Sequence, residues 1–211
     1  MLPQAYVSPA ERRATRDLLR RRRPLAHKRG ARLAHVPNTN SPYTLPAIGT
    51  HIADTANRDG VAARCADPAV HKSLEVDLAL VSSDDALRRD VALPIVKTAQ
   101  PHDANTLYLL HTVPGIGKML RLVLLDDIHH IDRFPRMQAC ASSGRLVQCA
   151  KESNGKRSGT SGATIGHAHL KWAFSEAAVF CRREHPAGQQ CLTRVEKKHD
   201  KGKAWTIFAH Q

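Results

Sequence analysis

Aromatic side chains are scarce: the 211-residue chain holds four Phe, three Tyr and two Trp. Binding single-stranded nucleic acid by stacking successive bases needs a series of aromatic platforms, so that mode is disfavoured. Cysteine is sparse as well. The five thiols, at positions 65, 140, 149, 181 and 191, include no Cys-x-x-Cys pair and form an odd set. With no secretory signal at the N-terminus, they read as reduced thiols of a cytoplasmic protein. No apolar run approaches the length of a membrane span, so no membrane partner is expected. Internal repeats are not evident, and no convincing run of alternating strands occurs.

Acidic residues are the other shortage. Nineteen Asp and Glu face 32 Lys and Arg, a formal net charge of +13. Such an excess favours polyanionic partners. Its distribution is uneven. Residues 1–40 carry ten Lys/Arg against Glu11 and Asp17, residues 41–113 carry six against nine acids, and residues 114–211 carry sixteen against eight. Two basic ends around a slightly acidic middle suggest two nucleic-acid-facing surfaces joined by a structural spacer.

The pattern along the chain is mainly helical. Ser8-Pro9-Ala10-Glu11 has the residues of a capping box with proline at the first helical position. The helix after it carries the run Arg20 to Arg23, either a binding surface or a solvated face. Pro24 is expected to kink or break it, with a second helical stretch running to about Val36. Residues 37–60 are rich in Pro, Asn and Gly and read as a connection with a short helix near 46–57. Asp67-Pro68 opens the next helix, whose Val70, Leu74, Leu78, Val81, Leu87 and Val91 recur at helical spacing. That helix and the first are expected to pack antiparallel. Asp84 and Asp85 read as surface charge. Further helices are expected from Gly117 to about His129, from Phe134-Pro135 to Ser142, from His167 to Arg183, from Pro186 to Lys197-Lys198, and from 203 onward.

Between two apolar stretches lies Val113-Pro114-Gly115-Ile116-Gly117-Lys118, which reads as the turn of a helix-hairpin-helix. Glycine permits the positive φ of a tight turn, and the amides from Gly115 to Lys118 would open a helix toward a phosphate. Lys118 adds charge beside them. An ordinary αα turn with a glycine C-cap, needing no ligand, is the alternative.

The segment 151–162 is the candidate reactive loop. Ser153 supplies a hydroxyl, while Lys151, Lys156 and Arg157 supply cations for a transferring phosphoryl group. A flexible basic linker is the plainer reading. A P-loop is excluded, because Gly155-Lys156 lacks the earlier glycine at the required spacing and Arg157 stands where Ser or Thr is needed. Asp126, Asp127, His129, His130 and Asp132 include an i,i+4 pair, yet no converging ligand set, so they read as a polar helix end rather than a metal site.

Taken in order, Val-Pro-Gly-Ile-Gly, Arg-Phe-Pro, Gly-Arg-Leu-Val, Lys-Glu-Ser-Asn-Gly-Lys and Ile-Gly-His-Ala-His-Leu closely resemble the C-terminal domain of insertion-sequence transposases of the IS-one-ten class. The upstream Met-Leu-Pro-Gln-Ala-Tyr-Val with its Arg-rich helix resembles the tail of that family's RuvC-like domain. The resemblance implies three parts: residues 1–36 as the basic helical tail, 37–105 as a helical connector, and 106–211 as the C-terminal transposase domain. It implies DNA as partner, Ser153 as nucleophile, and Gly115 and Gly117 as phosphate-touching glycines. The whole family member is expected to use Mg²⁺ through an acidic constellation in the RuvC-like domain, to form homo-oligomers, and in some cases to follow a structured guide RNA. This sequence lacks those acids, so no cofactor is expected in the chain itself and the reading is of a truncated, inactive remnant. His167 departs from the Asn that usually follows Ile-Gly. A non-enzymatic nucleic-acid-binding module is the competing function, and a poorly folded fragment the third.

Overall fold

The computed structural model describes residues 6–7, 9–43, 50–99, 104–147, 149–161 and 166–210. Ser8, the expected N-cap, and residues 44–49 lie outside them. The chain divides into two compact units, one of residues 17–98 and the other of residues 1–16 with 99–211.

The middle unit is built on two long helices, α1 (Ala10–Asn40), whose first turns lie in the other unit, and α2 (Pro68–Ala99). Asp67 starts α2 as expected: its carboxylate accepts from the Ala69 and Val70 amides at 2.8 and 3.1 Å, taking up two of the amides a helix start leaves open. Short 3₁₀ turns at Thr50–Ala53, Thr55–Asn57 and Ala62–Arg64 pack between the long helices. The apolar core joins Val36 of α1, Ile52, Val61, Ala62 and Cys65 of the turns, and Val70 and Leu74 of α2. Ion pairs run in opposite chain directions along the two helices, Arg29 with Asp85, Arg32 with Asp84 and His35 with Asp77, so the pair is antiparallel as expected.

Three expectations are revised here. Of the expected kink or break at Pro24 the break is excluded, because α1 continues through both Pro24 and Pro37. One missing amide donor is a local loss, and a helix whose flanks are packed can absorb it. Asp84 and Asp85 are not surface charge. Asp84 is buried beside Arg32, and the Asp85 side chain is held among Arg29, Arg58 and Arg88. Leu87, assigned to the apolar stripe, is exposed instead. The stripe ends at Val81 and resumes at Ile95, with the charged network between them.

The second unit contains α3 (Ala104–Thr112), α4 (Lys118–Ile128), α5 (Met137–Ser143), strands β1 (Cys149–Ser153) and β2 (Lys156–Ser161), then α6 (Ala168–Glu184), α7 (Pro186–Glu196) and α8 (Lys201–His210). Helix α6 is its centre and packs against α4, α7 and α8. Leu170, Ala173, Ala177 and Ala178 are its buried residues, facing a core that includes Leu120, Leu122 to Leu125 and Leu192. Small residues on α6 let neighbouring backbone come close, which the candidate site exploits.

As far as Ser161, the candidate reactive loop at 151–162 is a correction. Residues 149–161 form an antiparallel β-hairpin, with Asn154 and Gly155 both at positive φ, 52° and 69°. That is the backbone of a type I′ turn, for which Asn-Gly is the strongest short-range signal. The two strands are polar, so no apolar alternation announced them. The fold is nonetheless mainly helical.

Candidate nucleic-acid interface

The turn Val113–Gly117 links α3 to α4 and is closed by the Ile116 amide donating to the Val113 carbonyl at 3.1 Å. Its two glycines have different jobs. Gly115 has φ +88°, and a Cβ built on it would lie 2.3 Å from the Ala177 carbonyl oxygen and 2.5 Å from the Cys181 amide nitrogen. The turn therefore rests directly on the α6 backbone. Gly117, the α4 N-cap, has φ −73° and open space where a side chain would stand. No side chain caps α4 there, so the positive end of the helix dipole is left for solvent or an anion. Lys118 is exposed at the first helical position, while Ile116 is half-buried.

Ser153 closes β1 and stands opposite Lys156 at the start of β2, flanking the Asn154-Gly155 turn. Opposed residues of an antiparallel pair point their side chains to the same face, so the hydroxyl and the ammonium share one side of the tip. Both are exposed. Lys151 pairs in register with Gly159 and Glu152 with Arg157, with an irregularity between Lys151 and Glu152. The side chains of Lys151 and Arg157 lie outside the described ones.

The unit's other motifs serve as joints that the sequence did not reveal. Gly166 has φ +109°, and a Cβ there would approach the Ser143 carbonyl to 2.8 Å. The next residue, His167, donates its amide to that same carbonyl at 2.7 Å. Its ring caps α6: Nδ1 accepts from the Leu170 amide at 3.3 Å, which leaves the ring proton on Nε2, 3.4 Å from Asp127 Oδ1. Thus His167 does the capping that Asn would do and adds a polar contact to Asp127 that Asn is too short to make. Asp126 and Asp127, read from sequence as a polar helix end, are buried in the last turn of α4. No group of three or more His, Cys, Asp or Glu side chains among the described residues is placed to hold a metal ion.

Arg-Phe-Pro is also a joint. Arg133 lies over the Tyr6 ring at 4.0 Å and over the Phe134 ring at 4.5 Å, cation–π contacts that fasten the N-terminal stretch to the C-terminal unit. The Tyr6 hydroxyl is 2.7 Å from His129 Nδ1. His129 ends α4 at positive φ, 62°. Burial, then the neighbouring His130, Arg12 and Arg133, holds its pKa below the ordinary 6.5, against a smaller opposing pull from Glu11. The folded chain thus disfavours protonated His129 relative to the unfolded chain. This contribution is fully present above the ordinary value and is lost as pH falls through and below it. Urea midpoints should therefore decline on acidification below about pH 6.5, and His129→Asn, which tolerates the positive φ, should decline less. An identical pH profile for both proteins would sink the assignment.

The described residues thus define a mainly helical protein with a glycine turn seated on its central C-terminal helix and a polar β-hairpin nearby in sequence. Residues 107–192 match the family model described as Transposase IS116/IS110/IS902 family. The C-terminal region is thus similar to this insertion-sequence transposase family, as the order of its motifs led one to expect. No curated protein matches the chain. No helix of the described residues is long and apolar enough to cross a membrane.

Proposed function

We propose that the chain acts in DNA transposition, holding DNA by its backbone and presenting Ser153 to a phosphodiester. The family match over 107–192 carries this reading. The turn and α4 form a helix-hairpin-helix in which Gly117, Lys118 and the open α4 amides receive a phosphate. Ile116 anchors the turn, and Gly115 sets its approach to α6. At the hairpin tip, Ser153 Oγ attacks phosphorus. The new O–P bond forms as a bond from phosphorus to a deoxyribose oxygen breaks, and that oxygen leaves as a hydroxyl with the proton serine gives up. Lys156, with Lys151 and Arg157 from the same hairpin, offsets charge on the transferring group.

Departure of the sugar oxygen needs the metal chemistry that the resemblance assigns to a RuvC-like domain. Homo-oligomers and a structured guide RNA belong to the same reading of the whole family member. The test supplies a family RuvC-like domain, fused or in trans, and follows strand cleavage with the Ser153→Ala variant beside it. Cleavage that needs both the added domain and Ser153, with a covalent protein–DNA adduct trapped only when Ser153 is present, is the expected result. Normal cleavage by Ser153→Ala would remove the nucleophile. A purely binding role, favoured by the uncapped start of α4, predicts steep salt dependence, with Lys118→Gln lowering the logarithmic salt slope by about one. Salt-insensitive binding would overturn it.

A further inference from the structure

The middle of the chain is acidic by count, yet the cleft in it is lined by arginine. Arg22 and Arg29 are seven residues apart on α1 and so lie on one face. Arg88 and Arg89 come from α2, and Ala53, Asp54 and Thr55 from the 3₁₀ turns, around an open cavity of about 300 Å³. Four guanidinium groups line it against the carboxylates of Asp54 and Asp85.

Asp85 is already committed. Arg29 Nε donates to it, Arg58 donates at 2.6 Å, and Arg88 approaches to 3.4 Å. Burial alone would push its carboxyl up, but the hydrogen bonds from Arg29 and Arg58 hold it below the ordinary carboxylate value. Its charge is divided among three cations, and nothing is left for Arg22. The Nε atoms of Arg22 and Arg88 are buried with no acceptor among the described residues. Burial, and then the neighbouring Arg88 charge, presses the Arg22 pKa down from its usual value. Like charges gathered in a half-buried cleft cost stability unless an anion joins them. Planar guanidinium forks match the oxygens of a phosphate.

We propose that this cleft is a second phosphate-binding site, in the middle unit, which grips a nucleic-acid backbone. The cleft is open, as an extended chain of phosphates requires, and exposed Arg89 stands at its edge. The net charge of +13 favours a polyanion over a single small anion. The site is independent of the glycine turn and of Ser153, and stands or falls apart from them.

The test uses the full chain, with Arg22→Gln and Arg89→Gln as site variants and exposed Arg21→Gln as a charge-matched control. Labelled duplex DNA is titrated across a salt series, and thermal midpoints are read with and without inorganic phosphate. Each site variant should weaken duplex binding on the order of tenfold and lower the salt slope by about one, while Arg21→Gln changes affinity far less. Arg22→Gln should also raise the midpoint of the ligand-free protein, because it relieves repulsion with Arg88. A residue of merely structural value would lower it. Should Arg22→Gln fail to fold, Arg89→Gln decides alone, since that side chain is exposed. Unchanged duplex binding in the site variants overturns the proposal, as does an equal loss in Arg21→Gln. Loss of phosphate-induced stabilisation with duplex binding intact would assign the cleft to a small free phosphate and overturn the nucleic-acid assignment.

Discussion

Gly115→Ala should destabilise the C-terminal unit by about 3 kcal/mol or more, whereas Gly117→Ala should stay within about 1 kcal/mol of the parent. The two residues are separated only by Ile116, but their surroundings differ. At Gly115 the added methyl meets the Ala177 carbonyl and the Cys181 amide, both backbone atoms that no rotamer change can move. The residue would also have to keep a φ of +88°. At Gly117 the methyl meets nothing within 4 Å, and φ is ordinary. Urea unfolding of both variants checks the contrast. The outcome governs how DNA-binding data are read: loss of binding in Gly115→Ala reports a displaced turn, while loss in Gly117→Ala at unchanged stability reports the phosphate contact itself. Equal stability of the two variants would mean the turn does not rest on α6 as described.

Asp85→Ala should cost the middle unit about 3 kcal/mol. Its carboxylate is the common acceptor of Arg29 and Arg58, and the Arg58 side chain is only 5% exposed. Without it, Arg58 keeps neutral partners at the Ile52 and Ala53 carbonyls and the Ser82 hydroxyl, but no counter-charge. Leaving a buried cation unpaired is more damaging than never burying it. Asp85→Leu combined with Arg58→Met should therefore recover part of the loss in urea unfolding. A double variant that is worse than Asp85→Ala would show that the pair contributes net stability beyond mutual neutralisation.

Much of the helical order was legible because its signals are local. Asp67-Pro68 marked the start of α2, Gly117-Lys118 that of α4, and Pro186 that of α7, each through capping or through proline's fixed φ. The β-hairpin escaped because Cys149–Ser161 is polar and glycine-rich, and only Asn154-Gly155 carried the signal. Candidate residues were found as types and positions, but their surroundings were not. Ser153 and Lys156 became a facing pair only through the register of the hairpin. The capping role of His167 needed Leu170 one turn on, and its polar contact needed Asp127, forty residues earlier.

By itself the sequence determined the helical class, most helix boundaries, the excess of positive charge and the insertion-sequence transposase resemblance of the C-terminal region. These follow from interactions within a turn or two of chain, or from composition. Only the tertiary structure decided that Gly115 is a packing glycine and Gly117 an open one, that Asp84, Asp85, Asp126 and Asp127 turn inward, and that four arginines line one cleft. Each depends on which distant segment comes to lie alongside. The physical reason is common to all of them: burial and the pairing of charge are properties of neighbours in space, and sequence spacing fixes only neighbours along the chain.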